Sequence, residues 1–221
     1  MQLLHERTSL ALDWLVADLV ELKRASNTSV SVILPALNEE ATVATIVRQI
    51  RRELMVPNGV ALVDELVVLD SGSTDRTAKV AAAAGATVIH RDDVFPSLPT
   101  VTGKGEAMWR GVGATTGELV VFIDADLRSF STSYVVGLLG PLLTDPDVHL
   151  VKAVYERPLV GDRQIMPQRR AGVLWMLQKA VGEGLLLGRG VVAQHFRQQA
   201  HRGVDQGGCG DLAAGQHEIA Q

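Results

Sequence analysis

Apolar and polar positions follow two kinds of pattern along residues 10–155. Short continuous apolar runs predict buried β-strands, and apolar residues spaced three or four positions apart predict amphipathic helices. Strands are predicted at residues 30–34, 65–69, 87–89, 119–123 and 149–155, and helices at residues 10–22, 39–54, 75–84, 105–114 and 132–143. Because strands and helices alternate over short connections, the pattern predicts parallel βαβ units in an open α/β sheet.

Three details of the predicted helices are specific enough to test. Asn38 is expected to be the N-cap of the second helix, and Gly85 is expected to end the third. The first helix is expected to bury one apolar face against the sheet. That face comprises Leu12, Leu15, Val16, Leu19 and Val20.

The composition changes near residue 160. Residues 161–221 contain no Ser, Thr or Asn, and they hold 11 of the 21 glycines. We therefore divide the chain into a regular α/β domain, residues 1–159, and a divergent C-terminal segment, residues 160–221. A reading-frame change or a truncation in the gene would explain such a segment. The apolar stretch at residues 171–187 predicts a helix that covers a sheet face or docks on a second subunit.

Composition excludes several classes of protein. The 221 residues carry a net charge of −4, which argues against a protein that coats nucleic acid or anionic lipid. Cys209 is the single cysteine, so an internal disulfide is excluded. No apolar run reaches the roughly 20 residues that span a bilayer. Early acidic residues interrupt any secretory signal, so a cytoplasmic location is expected.

Ligands of open α/β sheets bind beyond the carboxyl ends of the strands, and two acidic segments lie there. Asp124 and Asp126 follow an apolar strand, where residues i and i+2 of an extended chain point the same way. They suit a hard cation, Mg²⁺ or Mn²⁺, although a solvated loop with a capping aspartate is the alternative. Asp70 and Ser71 suit a flat polar group such as a pyrimidine base, although the loop could serve only to cap the next helix.

Two further segments at this rim have weaker signals. Lys104 stands between two glycines ahead of a helix, where its ammonium group could neutralise a diphosphate or simply be solvated. The N-terminus of the helix after residue 35 attracts anions because it is the positive end of the helix dipole, but the carboxylates of Glu39 and Glu40 already lie there. The sequence has no phosphate-binding G-x-x-x-x-G-K-[ST] loop, no G-x-S-x-G and no H-E-x-x-H.

Four of these segments, taken together and in order, resemble a known family. The segments are VILPALNEE (residues 32–40), VVLDSGSTD (residues 67–75), GKGEA (residues 103–107) and VFIDADL, which ends at Leu127. They resemble the glucosyl-3-phosphoglycerate synthases of actinobacteria, which are retaining glycosyltransferases with the GT-A-type fold. The resemblance extends over about residues 8–159 and implies an open, mainly parallel sheet flanked by helices.

The resemblance implies a function and a set of site residues. The implied reaction moves glucose from UDP-glucose to 3-phosphoglycerate with retention, using Mg²⁺ or Mn²⁺. Asp126, together with Asp124, would bind the metal, and Lys104 and Asp126 would act as electrostatic stabilisers without an assigned nucleophile. The implied nucleotide-sugar site consists of Pro35, Ala36, Leu37, Asn38, Glu39, Ser71, Lys104, Asp124, Ala125 and Asp126.

The family's acceptor loop, its acidic residue near the sugar and its late metal-binding histidine have no counterpart after Leu159. An inactive truncated form that binds UDP-sugar and metal is therefore the first alternative. An inverting family-2-like glycosyltransferase is the second, and it would need a general base beyond Asp124 and Asp126. A nucleotidyltransferase is a more remote alternative. The resemblance also implies a homodimer, although the family forms its dimer through segments not found here.

Overall fold

A computed structural model describes residues 8–55, 61–155, 175–178 and 191–196. The strands are β1 (Thr8–Leu10), β2 (Val30–Ala36), β3 (Glu65–Asp70), β4 (Thr87–His90), β5 (Leu119–Phe122), β6 (Leu150–Tyr155), β7 (Trp175–Gln178) and β8 (Val191–Phe196). The helices are α1 (Val16–Ala25), α2 (Val43–Leu54), α3 (Thr77–Ala84), α4 (Lys104–Gly113) and α5 (Ser133–Thr144). Two short 3₁₀ turns lie at Ala11–Asp13 and Arg91–Asp93.

All described strands belong to one sheet, in the order β1-β8-β6-β7-β5-β2-β3-β4. Every neighbouring pair is parallel except the two pairs made by β7, which runs antiparallel to β5 and β6. The predicted fold class, an open and mainly parallel sheet flanked by helices, is therefore confirmed. Because β7 and β8 come from residues 160–221, the sheet contains strands from both segments of the chain.

Side chains of the central strands alternate between two apolar layers. Val32 and Leu34 of β2 point into the larger layer, which also holds the buried faces of α2 and α5. Ile33, between them, points to the opposite face and packs with residues of α4. Gly111 lets α4 approach this face, because a Cβ atom there would lie 3.2 Å from side-chain carbons of Ile33 and Phe122. The sheet therefore fixes the position of α4, which begins at Lys104.

The five strands predicted between residues 30 and 155 are present, with ends shifted by one or two residues. The predicted helix at residues 10–22 is wrong in its first part, since α1 begins only at Val16. Leu10 lies in β1 and pairs with β8, a partner that local periodicity does not reveal. Leu12 and Leu15 are consequently 88% and 66% exposed, whereas Leu19 is buried as expected.

Three other local predictions have different outcomes. Gly85 ends α3 with a φ of +101°, which confirms its predicted role as a C-cap. Asn38 does not cap α2, because Thr42 occupies that position and the chain between them forms a loop. The helix predicted at residues 171–187 is wrong at Trp175–Gln178, which is strand β7; its other residues lie outside the described ranges.

None of the helices in the described part of the chain is long and apolar enough to cross a membrane.

Candidate functional site

A cleft of about 340 Å³ lies beyond the carboxyl ends of the central strands. The parallel arrangement brings the loops after β2, β3, β4 and β5 to this one edge of the sheet. The residues that line the cleft are Pro35, Ala36, Leu37, Glu39, Ser71, Arg91, Gly103, Lys104, Ala107, Asp124, Ala125 and Asp126. Of the residues implied for the nucleotide-sugar site, all except Asn38 line this cleft.

Asn38 instead connects the loop after β2 to the loop after β3. Its backbone N–H donates to the Ser73 hydroxyl at 3.0 Å, and its side-chain oxygen accepts from the Thr74 backbone N–H at 2.8 Å. The φ of Asn38 is +59°, a left-handed conformation that Asn tolerates better than most residues. Asn38 therefore helps to hold the two loops of the cleft wall together without itself lining the cleft.

The next two residues continue this connection between the loops. The Glu39 N–H donates to the Thr77 hydroxyl at 2.7 Å, and the Glu40 N–H donates to an Asp75 carboxylate oxygen at 3.2 Å. In return, the Arg76 N–H donates to the Glu40 carboxylate at 2.9 Å. We call residues 37–42 and 71–77 the paired loops, since each supplies both donors and acceptors to the other.

Asp70 and Asp75 stabilise the second of the paired loops. The Asp70 carboxylate is buried and accepts from the Ser73 hydroxyl at 2.5 Å. Asp70 is absent from the cleft lining, so its suggested part in base recognition is not supported, whereas Ser71 does line the cleft. Asp75 accepts from the backbone N–H of Thr77 at 2.8 Å, which satisfies a donor in the first turn of α3.

The opposite side of the cleft is charged. Lys104 is the first residue of α4, and its ammonium nitrogen lies 2.5 Å from a carboxylate oxygen of Asp124. Gly103 precedes it with a φ of +138°, which explains the glycine at this position. The Lys104 side chain remains 53% exposed, so it can contact a ligand while it holds Asp124. We call Lys104 and residues 124–126 the charged side.

Glu39 and Asp126 both line the cleft, and their negative charges interact. Burial raises the pKa of Glu39 above its usual value, and the negative charges of Asp126 and Asp75 add to this rise. A hydrogen bond with the Thr42 hydroxyl partly opposes it. A cation near Asp126 would relieve this excess of negative charge.

The carboxylates of the charged side fit a hard divalent cation. Asp124 and Asp126 both line the cleft and offer oxygen ligands, the type that Mg²⁺ and Mn²⁺ prefer. Among the described residues, no group of three or more His, Cys, Asp or Glu side chains is placed to hold a metal. Substrate phosphates and water commonly supply the remaining ligands of a protein-bound Mg²⁺ ion.

Sequence reasoning missed Arg91 and Ala107 as lining residues and treated Gly103 only as a neighbour of Lys104. The place of Ala107 in the lining could have been predicted from Lys104, because Ala107 lies three residues later on the same helix face. Arg91 has no local signal, because it reaches the cleft only through the pairing of β3 with β4.

Comparisons with known proteins agree with this fold. A glucosyl-3-phosphoglycerate synthase from Mycolicibacterium smegmatis is 53% identical over 146 residues, which are 66% of this chain and 46% of that protein. The chain thus spans about half the length of the curated relatives it matches.

Two solved structures extend the comparison. Glucosyl-3-phosphoglycerate synthase from Mycobacterium tuberculosis, in complex with Mn²⁺, UDP-glucose and phosphoglyceric acid, matches with a TM-score of 0.59 and 46% identity. That match covers 64% of this chain and 48% of the other. Mannosyl-3-phosphoglycerate synthase from Rubrobacter xylanophilus matches with a TM-score of 0.73 and 28% identity, over 90% of this chain and 75% of the other.

The model of the family described as "Glycosyl transferase family 2" matches residues 31–205, a range that begins in β2 and ends beyond β8. With the cleft at the carboxyl edge of the sheet and the segments that line it, this match shows that the chain belongs to glycosyl transferase family 2.

Proposed function

We propose that this chain transfers glucose from UDP-glucose to the 2-hydroxyl of 3-phosphoglycerate, with retention and with Mg²⁺ or Mn²⁺. The observation that carries the proposal is one cleft that brings together residues from four separate segments: Pro35, Ala36, Leu37, Glu39, Ser71, Lys104, Asp124, Ala125 and Asp126. The relatives named glucosyl-3-phosphoglycerate synthase share about half of their residues with this chain in the matched region. One of them was solved with the proposed donor, acceptor and metal.

The paired loops would bind the uridine and sugar portions of the donor. Their hydrogen bonds are already formed between protein groups, so little ordering remains to be done when the donor binds. Ser71 would offer a hydroxyl group to the base, and Glu39 lines the same cleft. Their place in the lining supports the roles that the family resemblance assigns to them.

The charged side would hold the diphosphate. An ammonium group has three donors, and Asp124 uses one of the donors of Lys104, which leaves others for phosphate oxygens. Negative charge grows on the diphosphate as the sugar departs, and a nearby ammonium group stabilises that charge. Asp124 and Asp126 would hold the cation, which when bound adds further positive charge at the leaving group.

Retention comes to the proposal from the family resemblance. The alternative of an inverting enzyme needs a base that removes the acceptor proton, and the anomeric configuration of the product separates the two. The alternative of a form that only binds the donor predicts metal-dependent binding of UDP-glucose without turnover. The homodimer and the cytoplasmic location remain predictions.

Calorimetric titration of UDP-glucose, first with Mn²⁺ and then with EDTA, tests the proposal. We expect binding that depends on the metal and is lost in Asp126→Asn, while Asp18→Asn, an exposed change on α1 outside the cleft, leaves binding intact. Addition of 3-phosphoglycerate should then release UDP and give an α-linked product by NMR. A β-linked product would support the inverting alternative.

Two results would go against the proposal. Binding that depends on the metal but gives no turnover would favour the form that only binds the donor. Absence of binding in a folded chain would reject both of these functions.

A further inference from the structure

Arg91 lies beside Ser71 at the edge of the cleft, although the two residues are far apart in sequence. In the parallel pairing of β3 with β4, Asp70 is the partner of His90. Ser71 and Arg91 are the residues that directly follow these two strands. Both residues line the cleft. Arg91 therefore lines the cleft at the same strand ends as Ser71, whose hydroxyl the proposed function assigns to the base.

The Arg91 side chain has donor capacity that none of the described residues uses. Its Nε atom is buried and has no hydrogen-bond partner within the described part of the chain. The Asp92 carboxylate approaches Nε at 3.5 Å, but the same oxygen accepts a 2.6 Å hydrogen bond from the Thr100 hydroxyl. A buried donor without an acceptor is unfavourable, so a turn of the side chain toward the cleft that brings Nε to an acceptor on a bound ligand would be stabilising.

The backbone beneath this side chain is held in place. The carbonyl oxygen of Arg91 accepts a 3.1 Å hydrogen bond from Arg110, which is almost fully buried. The side chain of Arg91 is itself only 20% exposed. Because its backbone is fixed and its side chain has limited freedom, the guanidinium group loses little conformational entropy when it forms a hydrogen bond.

Arg91 lies at the end of the cleft opposite the metal-binding carboxylates. Neighbouring strands are about 4.8 Å apart, so β4 lies roughly 14 Å from β5 across β3 and β2. Asp124 and Asp126 follow β5, and Lys104 is paired with Asp124 there. A nucleoside diphosphate with its phosphates at the β5 end therefore has its base at the end formed by β3 and β4.

On the basis of the proposed function, we propose that Arg91 recognises the nucleobase and selects uracil over cytosine. Its guanidinium group donates to the O4 carbonyl of uracil, beside Ser71. Cytosine carries an amino group at that position, so two donors would face each other and the Nε donor would remain unsatisfied. This penalty makes Arg91 a residue that determines specificity rather than a phosphate ligand.

Three ligands separate base recognition from phosphate binding: UDP, CDP and pyrophosphate, each titrated with Mn²⁺ into the full chain. We expect the wild-type protein to prefer UDP over CDP. Arg91→Ala should weaken UDP binding about ten-fold, the usual size for one hydrogen bond to a charged group. It should weaken CDP binding much less and leave pyrophosphate binding unchanged, so the ratio of UDP to CDP affinity falls.

Two further variants make the result decisive. Arg91→Lys keeps the positive charge and most of the side-chain stem, and it should also lose the preference for UDP because it lacks the planar fork. Arg24→Ala removes an exposed arginine from α1, and it should behave like the wild-type protein. Thermal melts of each variant confirm that it is folded.

An unchanged ratio of UDP to CDP affinity in both Arg91 variants would overturn the inference. So would an equal loss of UDP and pyrophosphate affinity, which would make Arg91 a phosphate ligand. If the folded wild-type chain binds pyrophosphate but neither nucleotide, the proposed function fails as well. That result is recognised without any variant.

Discussion

The two sides of the cleft are built in different ways. The paired loops are connected by hydrogen bonds between Asn38, Glu39 and Glu40 on one loop and Ser73, Thr74, Asp75, Arg76 and Thr77 on the other. The charged side has one ion pair within the cleft, between Lys104 and Asp124, and Lys104 is half exposed. Under the proposed function, the paired loops would be a preorganised surface for the nucleoside, and the charged side would rearrange when diphosphate and cation bind.

The charged side has its structural support beneath the cleft. Arg110 of α4 is 1% exposed, and its guanidinium group donates to the carbonyl oxygens of Arg91, Val94, Leu98 and Pro99. It also forms an ion pair with Glu106, one turn earlier on the same helix. This single side chain fastens the segment after β4 to the helix that presents Lys104.

The largest expected effect comes from removing that support. Arg110→Met leaves Glu106 as a largely buried, unpaired carboxylate and frees four carbonyl groups, so we expect the free energy of unfolding to fall by about 3–5 kcal/mol. Urea denaturation measures it. The double variant Arg110→Met/Glu106→Leu removes the unpaired charge and should regain part of the loss. Equal stabilities of the single and double variants would show that Glu106 carries none of the cost.

A smaller effect is expected in the paired loops. Asn38→Ala loses the hydrogen bond to Thr74 and must also adopt a positive φ, so we expect a loss of about 1–3 kcal/mol. Asn38→Gly loses the same hydrogen bond but adopts that backbone conformation freely, and it should be the more stable variant in a thermal melt. If glycine proves no better than alanine, the positive φ contributes nothing to the cost.

The smallest effect concerns the pH dependence of stability. The raised pKa of Glu39 means that the native state holds this proton more tightly than the unfolded chain does. Stability therefore falls as pH rises from about 4.3, the usual Glu value, through the raised pKa. Glu39→Gln should remove this slope and be slightly more stable than the wild-type protein at pH 7, by urea denaturation.

The neighbouring carboxylate provides the control. Hydrogen bonds from Arg76 lower the pKa of Glu40, so its contribution to stability is present above the usual Glu value and is lost as pH falls. Glu40→Gln should therefore have the opposite sign at pH 7. Changes of the same sign in the two variants would contradict the electrostatic description of the paired loops.

Much of the fold between residues 30 and 155 could be predicted, because local pattern and tertiary environment agree there. The apolar run of β5 is buried on both faces, and the apolar spacing of α2 matches its buried side. Parallel connections then bring the strand ends together, which explains why the cleft contains Ser71, Lys104 and Asp126 although they are distant in sequence. The location of the cleft could thus be predicted from one rule, that open parallel sheets bind ligands beyond the carboxyl ends of their strands.

The remaining features depend on pairings that no local window contains. Leu10 belongs to a strand because β8 lies beside it, and Arg91 reaches the cleft because β4 pairs with β3 in one register. Asn38 is of a residue type that is favoured at helix N-caps, but its side chain accepts a hydrogen bond from Thr74 of a different loop. In each case a partner from elsewhere in the chain outweighs the local preference of the residue.

The pairing of β1 with β8 has a consequence for the order of folding. It joins the first described strand to the last, and β8 also pairs with β6, so one edge of the sheet consists of the two ends of the described chain. Contacts between distant segments form slowly because a long loop must close first. While a ribosome is still making the last strand, β6 has an open edge, and such an edge can pair with other chains. Protection against aggregation therefore depends on the last part of the sheet to be synthesised.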